Sequence, residues 1–320
     1  MKLKLIALAA MLATGSAQAA IDTGLFGSAN PGNGELLLNL KWRDSNTTDG
    51  NQSVSATFDL GFTINDAVAS FNTAGYSMTW DLTSYGSAYD TFLTAVGSNI
   101  GNAEMNVFAL GDDASTDPGV DRILSTTNGI NATGTSLSLL NSSIPANSNF
   151  NAVFGNTTVT NFLVAVNNSG SHSSEINGAH NADASSGFAW FDNGTGMDKF
   201  ANLSAFDSTN KFFGQYAAGT GVLSGMDRAL PFYTVVSSSN DPVGKAVLTP
   251  FGFDLDGDGV IEFDNNGATA GGLVETGLWT LQGTTLKYSV AAVPEAETYA
   301  MMLAGLGLVG FMARRRMTRV

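Results

Sequence analysis

The clearest structural signal in the chain is the stretch Val-Ser-Ala-Thr-Phe-Asp-Leu-Gly-Phe-Thr-Ile at residues 54–64. Apolar side chains occupy every second position of this stretch, namely Val54, Ala56, Phe58, Leu60, Phe62 and Ile64. Since successive side chains of a β-strand point to opposite faces, a period of two places all of these on one face. The stretch therefore predicts a long strand with one apolar face, in a fold built from sheets.

Shorter segments on either side of this stretch indicate further strands. We expect them at residues 36–42, 77–82, 106–110, 122–125, 230–237 and 245–249. Residues 277–281 and 284–290 flank Gln282-Gly283, which predicts a hairpin with a two-residue turn. Residues 88–96 carry apolar side chains at helical spacing, which predicts a short helix capped by Ser87. The apolar run 162–166 fits a strand or a helix.

The composition is typical of a β-rich body. Gly accounts for 37 of the 320 residues, charged residues for 13% and hydrophobic residues for 43%. This mix suits short strands joined by many turns, whereas helical bundles carry more Glu and Lys. Aromatic residues make up 10%, which argues against disorder. We therefore expect a mainly β fold, an antiparallel β-sandwich or jelly-roll-like body with one or two short helices.

The start of the chain, residues 1–19, has the three parts of a secretory signal peptide. Lys2 and Lys4 form the charged part, and residues 5–13 form the apolar part. The residues that define the cleavage site are Ala17, Ala19 and Ala20. We expect the general secretion machinery to export the body, residues 20–293. The chain contains no Cys, although an oxidising compartment would permit disulfides.

The end of the chain, residues 294–320, has the features of a membrane anchor. Residues 298–313 are uncharged and are followed by an arginine cluster at residues 314–319. As a helix, the apolar part from residue 299 to 313 spans roughly 23 Å, short of the ~30 Å hydrocarbon core, but arginine stems can reach the headgroups. A core helix is the alternative, although it would show polar residues at helical spacing. We expect a transmembrane helix with a cytoplasmic C-terminus, anchored by Tyr299, Leu303, Leu306, Leu308, Phe311, Arg314, Arg315 and Arg316.

The anchor is preceded by a short motif that consists of Val293, Pro294 and Glu295. Motif, apolar span and arginine cluster together resemble the PEP-CTERM sorting signal of Gram-negative bacteria. Ala296 stands where the second Pro of that signal usually stands. The resemblance covers only residues 293–316. It implies recognition by an exosortase, a membrane-embedded cysteine protease or transpeptidase, which cleaves near the motif and releases the body to the cell surface or into exopolysaccharide.

The exported body is strongly acidic. The chain has 14 Lys+Arg and 28 Asp+Glu; six of these bases and two of these acids lie in the two targeting ends, which leaves a net charge of −18 on the body. Such a surface repels nucleic acid and anionic lipid headgroups, which excludes a nucleic-acid partner. It attracts divalent cations and, through them, other anionic polymers such as exopolysaccharide.

One segment of the body, residues 253–263, predicts a calcium loop. Carboxylates recur at every second residue and are followed by Gly259, as in the first half of an EF-hand or dockerin loop. The predicted ligands are Asp254, Asp256, Asp258, the Val260 carbonyl and Glu262. The twelfth position holds Asn265 instead of a bidentate Glu, which lowers the expected affinity. An acidic hairpin tip without a cation is the alternative, because Asp-Gly is a favoured turn pair.

Other polar clusters predict no catalytic site. The only histidines, His172 and His180, are surrounded by Ser, Asn and Gly, and we interpret them as solvated loop residues in preference to metal ligands. The acidic segment 112–121 lacks regular spacing and is interpreted as a solvated loop. The chain has no nucleophile elbow, zinc-protease helix or phosphate-binding loop.

These observations together predict an exported structural protein of the cell surface or extracellular matrix, associated with exopolysaccharide and without enzymatic activity. A carbohydrate- or ice-binding module is an alternative of a different class, and a secreted glycan-active enzyme is a further one, because an acidic β protein offers many carboxylate pairs. Long Thr-x-Thr ladders, which would favour ice binding, do not occur in the sequence.

Overall fold

The computed structural model of the protein describes residues 21–25, 27–42, 53–112, 121–126, 157–169, 178–183, 230–237, 247–253, 276–290, 304–306 and 308–309. The strands within these residues are Glu35–Trp42 (β1), Val54–Thr63 (β2), Ser77–Asp81 (β3), Glu104–Gly111 (β4), Arg122–Thr126 (β5), Ala179–Asp183 (β6), Leu230–Val236 (β7), Val247–Pro250 (β8), Leu278–Gln282 (β9) and Thr285–Ser289 (β10). The helices of the body are Ile64–Ser70 (α1), Ala88–Val96 (α2) and Thr157–Ser169 (α3), with 3₁₀ turns at Leu82–Tyr85 and Gly97–Asn102.

The strands form one connected antiparallel sheet in the order β3-β10-β9-β7-β5-β4-β1-β2-β6, with β8 paired to β7. Along one edge of β7, Leu230 and Pro231 pair with β9, and residues 233–236 pair with β8. The expectation of a mainly β, antiparallel body with few short helices is confirmed. The two separate sheets of a sandwich or jelly roll stay a prediction, since the described strands follow one hydrogen-bonded path.

The sheet curves until strands from opposite ends of this path meet across the core. The indole Nε1 of Trp80, on the end strand β3, donates a hydrogen bond to the carbonyl oxygen of Leu60 on β2 at 2.9 Å. The ring of Trp80 also lies edge-on to Phe62, with centroids 5.8 Å apart. The largest fully enclosed core side chains include Phe58, Phe71, Tyr89, Phe92, Trp279 and Tyr288. The burial of large aromatic side chains stabilises this fold, which contains no disulfides.

The strands at the centre of the sheet are buried on both faces. On the face of β2 opposite the aromatic core, Thr57 is fully buried, and its hydroxyl donates to Oδ1 of the buried Asn39 on β1 at 2.7 Å. Asn106 on β4, directly across from Asn39, is also fully buried. The alternating pattern of residues 54–64 therefore identifies the apolar core face, but its polar positions are enclosed by the protein as well.

The alternating pattern was expected to continue through Ile64, but the strand ends at Thr63 and α1 begins at Ile64. Thr63 and Asp66 form a capping box: the Thr63 hydroxyl accepts from the Asp66 N–H, and the Asp66 carboxylate accepts from the Thr63 N–H. This reciprocal pair satisfies amide groups at the start of a helix and so favours a helix there. Ile64 remains fully buried, now as a helical residue.

The helix predicted at residues 88–96 is confirmed as α2, and the strands predicted from the sequence agree with β1 to β5 and β7 to β10 within a few residues. Ser87 is the N-cap residue of α2, as predicted, although its side chain makes no capping hydrogen bond. The hairpin turn was misplaced. Gln282 pairs with Thr285, so the hairpin turn is Gly283-Thr284, one residue later than predicted. Gly283 has φ +56°, which a glycine adopts without strain.

Candidate functional site

The strand that precedes the predicted sorting motif, β10, is held by strand pairing on both edges and by side-chain contacts with Phe71. It pairs with β9 on one edge and with β3 on the other. The ring of Tyr288 is stacked on Phe71 with centroids 4.3 Å apart, and the Tyr288 hydroxyl donates to the Phe71 carbonyl oxygen at 2.9 Å. Burial raises the pKa of Tyr288, so this hydroxyl keeps its proton. The last residue of this region, Val290, is buried, and its N–H donates to the Tyr76 carbonyl oxygen at 2.9 Å.

The predicted sorting motif follows Val290 closely in the sequence. Val293, Pro294 and Glu295 lie outside the described residues, but Val293 is the third residue after Val290. At about 3.3 Å per extended residue, the motif begins within roughly 10 Å of the folded body. A cut near Pro294 would therefore remove the tail and leave β10 complete.

The predicted membrane anchor is described only in part. Residues 304–306 and 308–309 are helical and exposed, with Leu306 and Leu308 more than half accessible. Within the described ranges, no helix combines the length and apolar character needed to cross a membrane. The remaining predicted anchor residues lie outside those ranges; they are Tyr299, Leu303, Phe311, Arg314, Arg315 and Arg316.

The predicted signal cleavage site, with Ala17, Ala19 and Ala20, also lies outside the described residues, which begin at Ile21. Ile21 is buried and firmly attached. The side-chain amide of Asn167 on α3 accepts from the Ile21 N–H at 2.8 Å and donates to the Ile21 carbonyl oxygen at 3.0 Å. The expected mature chain therefore starts one residue before a segment that is part of the fold.

The predicted calcium loop starts at Phe253, which is the last described residue of its segment. Phe253 is described and partly exposed, whereas Asp254, Asp256, Asp258, Val260 and Glu262 lie outside the described residues. In the part of the chain that is described, no three His, Cys, Asp or Glu side chains are grouped so that they could hold a metal ion. Calcium binding thus stays a prediction from the spacing of the carboxylates.

A carboxyl cluster, which was not predicted from the sequence, joins the start of the body to β1 and β2; Asp22 and Asp59 are buried and Glu35 is half-buried. The N–H of Asp22 donates to Glu35 Oε2 at 2.6 Å, and Asp59 accepts from the Gly61 N–H at 2.8 Å. Burial and the neighbouring carboxylate of Asp59 raise the pKa of Glu35 to about 8, and burial raises the pKa of Asp59 to about 6. The cluster can therefore retain a proton near neutral pH.

Two polar segments were interpreted as solvated loops, and the structure corrects both in part. His180 lies in β6, buried opposite Thr57, and burial lowers the pKa of its imidazole. His180 belongs to the sheet because the backbone of β6 pairs with β2. His172 lies outside the described residues. Asp112 and Asp121, at the ends of the acidic segment 112–121, are likewise buried.

Comparison with known proteins identifies the tail and leaves the body without a match. Residues 292–316 match the family model described as the PEP-CTERM protein-sorting motif. No curated protein and no solved structure matches the chain significantly. The resemblance recognised from Val293, Pro294, Glu295 and the arginine cluster is confirmed, and it marks the chain as an exported protein that is sorted through its tail.

Proposed function

We propose that the protein is a structural component of the cell surface or extracellular matrix, which an exosortase releases from a membrane-anchored precursor. The observation that carries this proposal is the match to the PEP-CTERM sorting motif at residues 292–316. The position of the motif supports it, because Tyr288 and Val290 keep β10 in the core on the body side of the cut. Processing would then yield a complete folded body.

Cell fractionation tests the sorting step. In a Gram-negative host with its exosortase, we expect the body in the surface or matrix fraction. Without the exosortase, or with Arg314, Arg315 and Arg316 all changed to Ala, it should stay in the inner-membrane fraction or be lost. A body that reaches the surface equally well without the exosortase would contradict the proposal.

We further propose that the acidic body associates with exopolysaccharide through calcium. Its net charge of −18 would repel acidic polymers unless a divalent cation bridges them. The predicted ligands Asp254, Asp256 and Asp258 recur at the spacing of a calcium loop. Calorimetric titration should give heat that is lost in Asp256→Ala and kept in Asp90→Ala, an exposed acid on α2. No heat with the unmodified protein would contradict calcium binding.

A screen of the protein against polysaccharides separates this structural role from the alternatives. Retention on one polysaccharide without products would favour a carbohydrate-binding module. Release of soluble sugars would favour a glycan-active enzyme, and ice recrystallisation inhibition would favour an ice-binding module. Calcium-dependent retention on many acidic polysaccharides, without products, is the result that we expect.

A further inference from the structure

The last described residue before the tail is Val290. Val290 is buried and bonded to Tyr76, and the apolar stretch of the tail starts at Tyr299. At about 3.3 Å per residue, the connection from Val290 to Tyr299 spans at most roughly 30 Å when it is fully extended. While the precursor is anchored, this part of the body therefore stays close to the membrane surface.

The surface around this point can be traced through its contacts. Gly252 forms an isolated bridge with Thr276, and two residues further on Leu278 pairs with Ser289 of β10. Neighbouring strands lie about 4.8 Å apart, so residue 253 lies roughly 10 Å from the departing chain. On the other side, the Gly252 N–H donates to Oδ1 of Asn72 at 3.2 Å.

Asn72 connects this region to α1, because its side-chain amide donates to the Val68 carbonyl oxygen at 3.3 Å. We call the surface formed by Val68, Asn72, Tyr76, Phe253 and Val290 the exit edge. Val68 is 41% exposed and Phe253 is 37% exposed, which places both among the large apolar side chains that the described body presents to solvent. Two exposed apolar side chains thus belong to the segments that these contacts connect to Val290.

The described segments that form the exit edge carry no charge, although Asp66, Asp254 and Lys287 adjoin them in the sequence. Residues 67–76, 247–253 and 288–290 contain no Asp, Glu, Lys or Arg, although the body as a whole has a net charge of −18. An uncharged surface avoids the repulsion that an acidic surface meets at anionic headgroups. Aromatic side chains such as Phe253 and Tyr76 are suited to the membrane interface, where apolar rings gain contact with lipid.

We propose that the exit edge rests on the lipid surface of the membrane that holds the unprocessed chain, with Phe253 and Val68 at headgroup level. The inference rests on the proposed function, since it requires the anchored precursor. Contact at this edge turns toward the bilayer the side of the body on which Val290 lies, three residues before the sorting motif begins at Val293. The occupant is lipid, because the short connection brings the edge to the bilayer whether or not the protease is bound.

The absence of cysteine in the chain makes the contact directly measurable. Single variants Phe253→Cys and Val68→Cys of the full chain are labelled with an environment-sensitive fluorophore and reconstituted into phosphatidylcholine vesicles that contain a lipid-borne quencher. Val164→Cys is the matched control, because Val164 is a similarly exposed apolar residue on α3. Because the lipid has no net charge, it does not repel the acidic residues that follow Phe253.

We expect a blue shift and loss of most of the fluorescence at positions 253 and 68, with little change at 164. A flexible Gly-Ser insertion of about twelve residues between Ala291 and Ala292 should leave this quenching in place, because contact and not tether length causes it. Equal quenching at all three positions, or its loss on insertion, would overturn the proposed contact. A chain that does not float with the vesicles would instead contradict the anchored precursor, and therefore the proposed function.

Discussion

The ring of Tyr288 lies stacked on the ring of Phe71, and its hydroxyl donates to the Phe71 carbonyl oxygen at 2.9 Å. This pair joins the last strand of the body to the residue that ends α1, 217 positions earlier in the chain. The strand that leads to the sorting motif is therefore held by contacts of high sequence separation. Loss of the tail removes none of these contacts.

Truncation of Tyr288 should weaken the whole body. Tyr288→Ala leaves a cavity among Phe71, Phe232 and Trp279, and large-to-small changes of this type cost about 3–5 kcal/mol. Tyr288→Phe keeps the ring and loses only the hydrogen bond, so we expect a cost of about 1 kcal/mol. Urea denaturation measures both. Equal costs for the two variants would contradict the role assigned to ring stacking.

Gly277 should tolerate no larger residue, because a Cβ at this position would come within 1.7 Å of the Tyr288 hydroxyl oxygen. We expect Gly277→Ala to lower the free energy of unfolding by at least about 1–3 kcal/mol. In the double variant with Tyr288→Ala the clash is absent, so the two costs should not add. Strict additivity in a denaturation cycle would show that the two residues do not interact.

The carboxyl cluster should make the protein more stable in mildly acidic solution. The pKa of Glu35 is about 8 in the folded protein against an ordinary value of 4.5, so its proton stabilises the fold below about pH 4.5 and this stability is lost as the pH rises through 8. The pKa of Asp59 is about 6 in the folded protein against an ordinary value of 3.8, so its proton also stabilises the fold at low pH. This contribution is lost as the pH rises through 6. Thermal unfolding measured from about pH 5 to 8 should show a falling melting temperature.

The variant Glu35→Gln should flatten this slope, because an amide cannot lose the proton. Asp81→Asn is the matched control: hydrogen bonds to Thr83 lower the pKa of this exposed carboxyl, so it titrates below the window and its loss should leave the slope unchanged. His180 opposes the trend, since burial lowers the pKa of its imidazole and the associated stability is lost as the pH falls. An unchanged slope in Glu35→Gln would mean that another group carries the effect.

The start of the body should depend on Asn167. Its side chain makes two hydrogen bonds to the backbone of Ile21, so Asn167→Ala leaves two partly buried backbone groups without that partner. We expect a loss of about 1–3 kcal/mol and faster hydrogen exchange at the Ile21 amide. The neighbouring change Val164→Ala, at an exposed position on the same helix, should alter neither. Unchanged exchange at Ile21 in Asn167→Ala would contradict this attachment.

Periodicity in the sequence was sufficient to predict the strands and helices whose own residues carry a clear pattern. The strand β2, the helix α2 and the hairpin of β9 and β10 are all present, with the end of β2 and the hairpin turn each displaced by one residue. The sorting tail was recognised in the same way, because a linear motif needs no fold to be read. The end of β2 was misplaced because Ile64 continues the alternation while the capping box of Thr63 and Asp66, which could have been noticed as Thr-x-x-Asp, starts a helix.

Elements that depend on tertiary pairing could not be predicted. The small and polar residues of β6 have no strand pattern, and they form a strand because β2 offers a free edge to His180 and its neighbours. Glu35 and Asp59 are brought together by the register of β1 against β2, in which Leu37 faces Asp59. The one local sign was Asp59 itself, an acid in the middle of a predicted strand.

The central claim, that the tail is cut from a completed body, is tested most directly by the intact mass of the mature protein. We predict a chain that starts at Ala20 and ends near Pro294, recovered from the surface or matrix fraction. The Pro294→Ala and Glu295→Ala variants should instead keep the arginine cluster and remain in the membrane. A wild-type mass that includes all residues through Val320 would contradict the account and make the tail a permanent anchor.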